Sequence, residues 1–206
     1  YTLSLHDALP IYYRIAADRF INMPVMSLQT GSELARTERE IINPNNLSIA
    51  AYELTGPLLD QTPSLLRIED IREIGPLGMI IDAADEIVSP SDVIALKTIY
   101  EINFSLQGKT VIDEKKKKIG KVVGWTITTN NFLIQQLRVH RPFLKSFGDT
   151  ELLIHRSQIT KVTDDHVVIR SATVQHKAEE ITPNRPPSSY ENPFRKQPQT
   201  DSSTTK

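Results

Sequence analysis

Apolar and β-branched residues come in short runs that alternate with polar ones and stop at Gly, Pro, Asn and Asp. This period-2 pattern predicts strands near residues 24–28, 34–42, 47–54, 65–68, 71–74 and 79–81. A second set is predicted near 109–112, 119–129, 132–140, 152–155, 159–162 and 166–170. Thr30-Gly31-Ser32, Lys115 to Lys118, Asn130-Asn131 and Thr163-Asp164-Asp165 supply polar turns between runs. Ser89 and Asp92 precede the apolar stretch from Val93 to Tyr100, which predicts a short helix between the two sets, covering an open sheet edge.

The two sets are in register. Val25-Met26 aligns with Val111-Ile112 at an offset of 86, and Leu34 with Ile119 at 85. Asn45-Asn46-Leu47-x-Ile49-x-x-Tyr52-x-Leu54 falls on Asn130-Asn131-Phe132-x-Ile134-x-x-Leu137-x-Val139, also at 85. Ile71, Ile74 and Met79-Ile80-Ile81 meet Ile159, Val162 and Val167-Val168-Ile169 at 88. A period this long indicates duplicated domains, since solenoid repeats run at roughly 20–50 residues. Several short strands in so few residues indicate a small closed or half-closed barrel. The expectation is a mainly β protein of two tandem barrels, residues 18–88 and 105–172, joined by a helical linker at 89–104. Residues 173–206, rich in Pro, Ser, Thr and Gln, read as a disordered tail. Residues 1–11 resemble a translated sequencing adapter and are set aside from the fold.

Composition narrows the chemistry. With no Cys, disulfides and cysteine-ligated metals are excluded. No run of about 18–20 apolar residues spans a membrane, and a cytoplasmic location is expected. The net charge of −1 conceals a division. From Asp18 to Lys97 six Lys/Arg face thirteen Asp/Glu, a net of −7; from Thr98 to Ala172 twelve face seven, a net of +5. Opposite charge on two copies predicts barrel–barrel or chain–chain attraction, or two different partners.

Gly108-Lys109-x-Val111, a polar turn and Ile119-Gly120-Lys121-Val122 resemble the opening of a PRC-barrel domain. Ile154-His155-Arg156-Ser157-Gln158-Ile159, followed by Asp165-His166-Val167-Val168-Ile169, resembles that family's closing strand pair. The first copy is similar through Met23-Pro24-Val25 and Leu34-Ala35, with Asn22 and Ala35 at the two glycine positions; the second has no Gly in its turn. The resemblance implies docking rather than catalysis. PRC-barrels serve that role in the photosynthetic reaction-centre H subunit and in the ribosome maturation factor RimM.

No phosphate-cradling Gly-rich loop, nucleophile elbow or zinc motif is present, so neither cofactor nor metal is expected. Among the histidines, His140 and His155 end and begin adjacent predicted strands and are the one pair that a hydrolase reading could use. The basic residues are more suggestive: Lys115, Lys116, Lys117 and Lys118 in one turn, Lys121 beyond it, then Arg138, His140, Arg141, Lys145 and Arg156, with Phe143 and Phe147 interleaved. Trp125 stands where the first copy has Glu40, which hints at an outward face. The expected partner is a protein, with RNA or a ribosomal component as the alternative. The expected function is therefore a non-enzymatic docking module.

Overall fold

A computed structural model describes residues 14–141 and 151–170. The expected tail, the adapter-like segment and the loop carrying Phe143, Lys145 and Phe147 lie outside them. The fold is mainly β, with two mixed sheets and one α-helix among the described residues.

The first sheet contains β2 (Pro24–Ser27), β3 (Glu33–Asn43), β4 (Ser48–Thr55), β5 (Ser64–Arg67), β6 (Glu73–Gly75), β7 (Gly78–Ile81) and β8 (Ile87–Val88). Its order is β6-β7-β2-β3-β4-β5-β8. The second contains β9 (Thr110–Asp113), β10 (Lys118–Thr128), β11 (Ile134–His140), β12 (Glu151–His155), β13 (Ile159–Val162) and β14 (His166–Ile169), ordered β12-β11-β10-β9-β14-β13. Six strands therefore recur in one order, with one parallel pair in each sheet, β2 with β7 and β9 with β14. Neither sheet closes on itself among the described strands.

Register repeats as faithfully as order. Arg36↔Thr55, Thr37↔Leu54, Arg39↔Glu53, Glu40↔Tyr52, Ile41↔Ala51 and Ile42↔Ile49 become, 85 residues on, Lys121↔His140, Val122↔Val139, Gly124↔Arg138, Trp125↔Leu137, Thr126↔Gln136 and Ile127↔Ile134. The bulges fall at the same places, so the inward face stays in phase in both copies.

Backbone conformation explains the substitutions at the glycine positions. Asn22 and Gly108 both have positive φ, 60° and 76°, and Asn is among the side chains that tolerate this region. A Cβ on Gly120 would lie 2.2 Å from the His140 carbonyl oxygen, so the second copy needs glycine there. In the first copy the corresponding residue is Ala35, and the small residue has moved across the ladder to Gly56.

The copies share one core. Phe20 and Tyr52 of the first pack against Phe132 of the second, with ring centroids 5.7–6.4 Å apart. Beside them the two copies exchange main-chain bonds reciprocally: Ile49 N–H donates to the Phe132 carbonyl at 3.0 Å and Ile134 N–H to the Leu47 carbonyl at 2.9 Å. Leu47 and Phe132 are repeat equivalents, as are Ile49 and Ile134, so the contact is a local two-fold. Leu47 and Phe132 both take the left-handed conformation, φ 49° and 52°, which is costly for side chains of that size and is offset by their burial. The predicted boundary between copies thus marks a repeat rather than separate cores.

Two segments differ from expectation. A strand ahead of the first copy, β1 (Arg14–Ala16), pairs with the far end of β10. The helix α1 (Ile94–Ile102) packs on the outer face of the first sheet, burying Leu96 against Ile41, Ala51 and Leu65, instead of lying between the copies. Asp92 accepts a bond from Ser89 N–H within the preceding turn; Val93 is the N-cap and has no side-chain cap bond.

Candidate functional site

Much of the second copy's positive charge is concentrated at the β9–β10 hairpin. The β9–β10 hairpin holds Lys115, Lys116 and Lys117 in a turn organised by Asp113, whose side chain accepts from Lys115 and Lys117 N–H at 2.9 and 2.8 Å. Lys116 adopts φ 62°, the conformation that Gly31 has in the first hairpin. Lys115 to Lys118 and Lys121 are all exposed. Antiparallel register sets Lys121 against His140, and His140 against Glu151. The exposed residues His140 and Arg141 therefore lie at the hairpin end of β10.

Leu153, opposite Arg138, is 57% exposed, whereas its first-copy equivalent Leu65 is fully buried beneath β8 and α1. Every ion pair among the described residues lies between residues 33 and 101. In the acidic copy and its helix Arg36, Arg39, Arg67, Arg72 and Lys97 are paired and Arg19 is not, while the cations of the second copy have no carboxylate within 4.0 Å among the described residues. Lys109 is engaged otherwise, donating to the Asp164 carbonyl and lying 4.5 Å from the Phe104 ring centroid. No ion pair crosses between the copies among the described residues.

Three expectations change. Trp125 is turned inward and is only 8% exposed, because its position continues the buried Ile127 face of β10. Arg156 is a strut: its guanidinium donates to the carbonyls of Asn46, Leu47 and Ile134 at 2.5, 3.1 and 3.2 Å, tying the copies together. His140 and His155 do not meet. His140 faces Glu151 and His155 faces Gln136, four residues apart along the ladder, or roughly 13 Å. His155 instead caps a 3-10 turn, its ring nitrogen 3.3 Å from Ser157 N–H. No cluster of three or more His, Asp or Glu is placed to hold a metal, and no helix is long and apolar enough to cross a membrane, among the described residues.

Sequence reasoning missed a cleft of about 240 Å³ where the copies meet. Asp18 and Ile21 line it from the segment before β2, Glu40 from β3, Gln107 from the linker, Trp125 from β10 and Arg138 from β11. The Trp125 indole N–H and the Arg138 Nε–H are buried with no hydrogen-bond partner among the described residues. Burial raises the Glu40 carboxyl above its usual range, against the smaller lowering by its own backbone N–H and by Arg39. The signal was present in the repeat alignment: Arg39 and Glu53 become Gly124 and Arg138, exchanging an ion pair for a lone cation beside a glycine.

The chain matches no protein-family model and no curated protein.

Proposed function

We propose that this protein is a non-enzymatic docking module of two PRC-barrel-like units that binds an acidic protein surface through the outer face of its second copy. The observation that carries the reading is the contrast between equivalent faces. On the first copy α1 and β8 cover Leu65 and the neighbouring Arg39 is paired with Glu53; on the second, Leu153 is exposed opposite Arg138, which has no carboxylate partner among the described residues. Desolvated apolar contact with a basic rim suits an acidic partner, whose approach the positive field accelerates. The recurrent strand order and the backbone roles of Asn22, Gly108 and Gly120 support the PRC-barrel-like assignment.

The test compares the immobilised full chain with a variant carrying Lys115, Lys116, Lys117 and Lys118 each changed to Ser together with Leu153→Glu. The expected result is retention of an acidic protein by the parent from nuclease-treated extract, weakened by salt and lost in the variant. Equal retention by both would sink the reading. The four-lysine hairpin favours RNA as the second reading. Retention of RNA alone, released by ribonuclease and steeply salt-dependent, would establish that one in its place.

A further inference from the structure

The cleft between the copies carries charges of both signs that do not touch. Asp18 and Glu40 line it together with Arg138, yet neither carboxylate lies within 4.0 Å of the guanidinium. At the equivalent cross-strand position of the first copy the space is filled. Arg39 donates to Glu53 at 2.5 and 2.9 Å, and Tyr100 and Asn103 complete the cluster. In the second copy Arg39 is replaced by Gly124, and the Arg138 guanidinium lies in the room thus made, its atoms 2.6–3.1 Å from where a Cβ would stand. That glycine positions the guanidinium without neutralising it. The indole of Trp125, more than nine-tenths buried, forms an apolar wall of the same cleft.

We propose that this cleft binds a small zwitterion of the free α-amino acid class, its carboxylate received by the Arg138 guanidinium and its ammonium by Glu40 and Asp18. Size and polarity both point this way. The volume, about 240 Å³, falls just below the roughly 300–1,000 Å³ of sites for drug-sized ligands and suits a small metabolite. Guanidinium recognises a carboxylate by charge-assisted donors. A simple anion would leave the two carboxylates unmatched, and a simple cation would leave the guanidinium unmatched.

The site carries its own probe, because Trp125 is the sole tryptophan of the chain. Titration of the full chain with glycine, L-alanine, L-serine and L-glutamate, followed by tryptophan fluorescence, is expected to give a saturable change for at least one of them. Acetate and methylammonium, each carrying half of the recognition chemistry, are expected to give none at the same concentrations. Arg138→Lys, which keeps a charge but loses the fork, and Glu40→Gln are each expected to weaken binding about tenfold or more, the scale of a charge-assisted bond. Gly124→Ala provides an independent variant: it retains every charged group but displaces the guanidinium, and binding should fall likewise while circular dichroism confirms the fold. An unchanged spectrum with all four amino acids would overturn the proposal, leaving the cleft to water. An equal response to acetate would overturn it in favour of a plain anion site, and full binding by a folded Arg138→Lys variant would remove Arg138 from it.

Discussion

Arg39–Glu53 and Gly124–Arg138 occupy one cross-strand position in two copies of the same sheet, and they show how the copies have diverged. In the first copy the position is closed by an ion pair and overlaid by Tyr100 of the linker helix, whose phenol lies 3.3 Å from Glu53. In the second it holds a cation beside a glycine, at the edge of a cleft. The same contrast holds one strand further out, where Leu65 is sealed and Leu153 is not. Most inward positions stay apolar in both copies because both sheets fill a common core, Glu40 against Trp125 being the exception. The outer faces were free to part, and one became a seat for α1 while the other remained polar, with Thr126 and Gln136 where the first has Ile41 and Ala51. One copy thus supports the fold from both sides, and the other keeps a surface available.

The largest expected effect tests that contrast directly. Leu65→Ala should destabilise the protein by about 2–5 kcal/mol, the usual cost of deleting a buried leucine side chain, whereas Leu153→Ala should stay within about 0.5 kcal/mol. Urea melts of the two variants beside the parent measure the difference. Equal losses would mean that Leu153 is covered in solution.

Arg156→Ala comes next. Its guanidinium is a side-chain tie between copies, added to the two main-chain bonds there, and its first-copy equivalent is Ile68, so this tie exists in one direction only. Removing it leaves three carbonyls short of a charged donor, and a loss of about 2 kcal/mol is expected after allowance for partial exposure. Because the contact joins the copies, chemical denaturation should remain a single transition in the parent. A second transition appearing in the variant would show that Arg156 enforces cooperativity, and an unchanged midpoint would refute the strut.

The repeat was legible in the chain because inward positions must keep their spacing when a sheet is duplicated; Val25, Ile49 and Met79 have counterparts in Val111, Ile134 and Val167 for that reason. The Gly108 and Gly120 motif was legible because each answers a backbone requirement visible in any copy of the fold. The placement of α1 was not, since an apolar helix stripe states that a face is buried but not against what. Nor was the fate of Arg156: a lone arginine in a strand pair reads as surface charge until the carbonyls of another copy are brought beside it. The inward turn of Trp125 was obscured by the bulge after Val122, which resets the alternation that would otherwise place it. The cleft depended on comparing the copies position by position at their outer faces, where no periodicity guides the eye.

The smallest effect concerns the hairpins, where the copies solve one turn with different residues. Gly31 and Lys116 are repeat equivalents with φ 67° and 62°, a conformation that costs a residue with a Cβ roughly 1–2 kcal/mol. A Cβ on Gly31 would meet nothing within 4 Å, so the cost there is conformational rather than steric. Lys116 is exposed, and its turn is held by main-chain bonds and Asp113: Lys116 N–H donates to the Asp113 carbonyl at 2.9 Å. Lys116→Gly keeps those bonds, and the relief of the backbone is partly cancelled by the greater freedom of glycine in the unfolded chain, roughly 0.5–1 kcal/mol. A net gain of about 0.5–1 kcal/mol is expected, and Gly31→Ala should lose a similar amount. Paired thermal melts decide the matter. A Lys116→Gly variant no more stable than the parent would mean that the Lys116 side chain contributes to the fold, and its retention would need no appeal to a docking partner. A more stable variant would leave the lysine held at a position where it weakens the fold, as expected of a residue kept for binding.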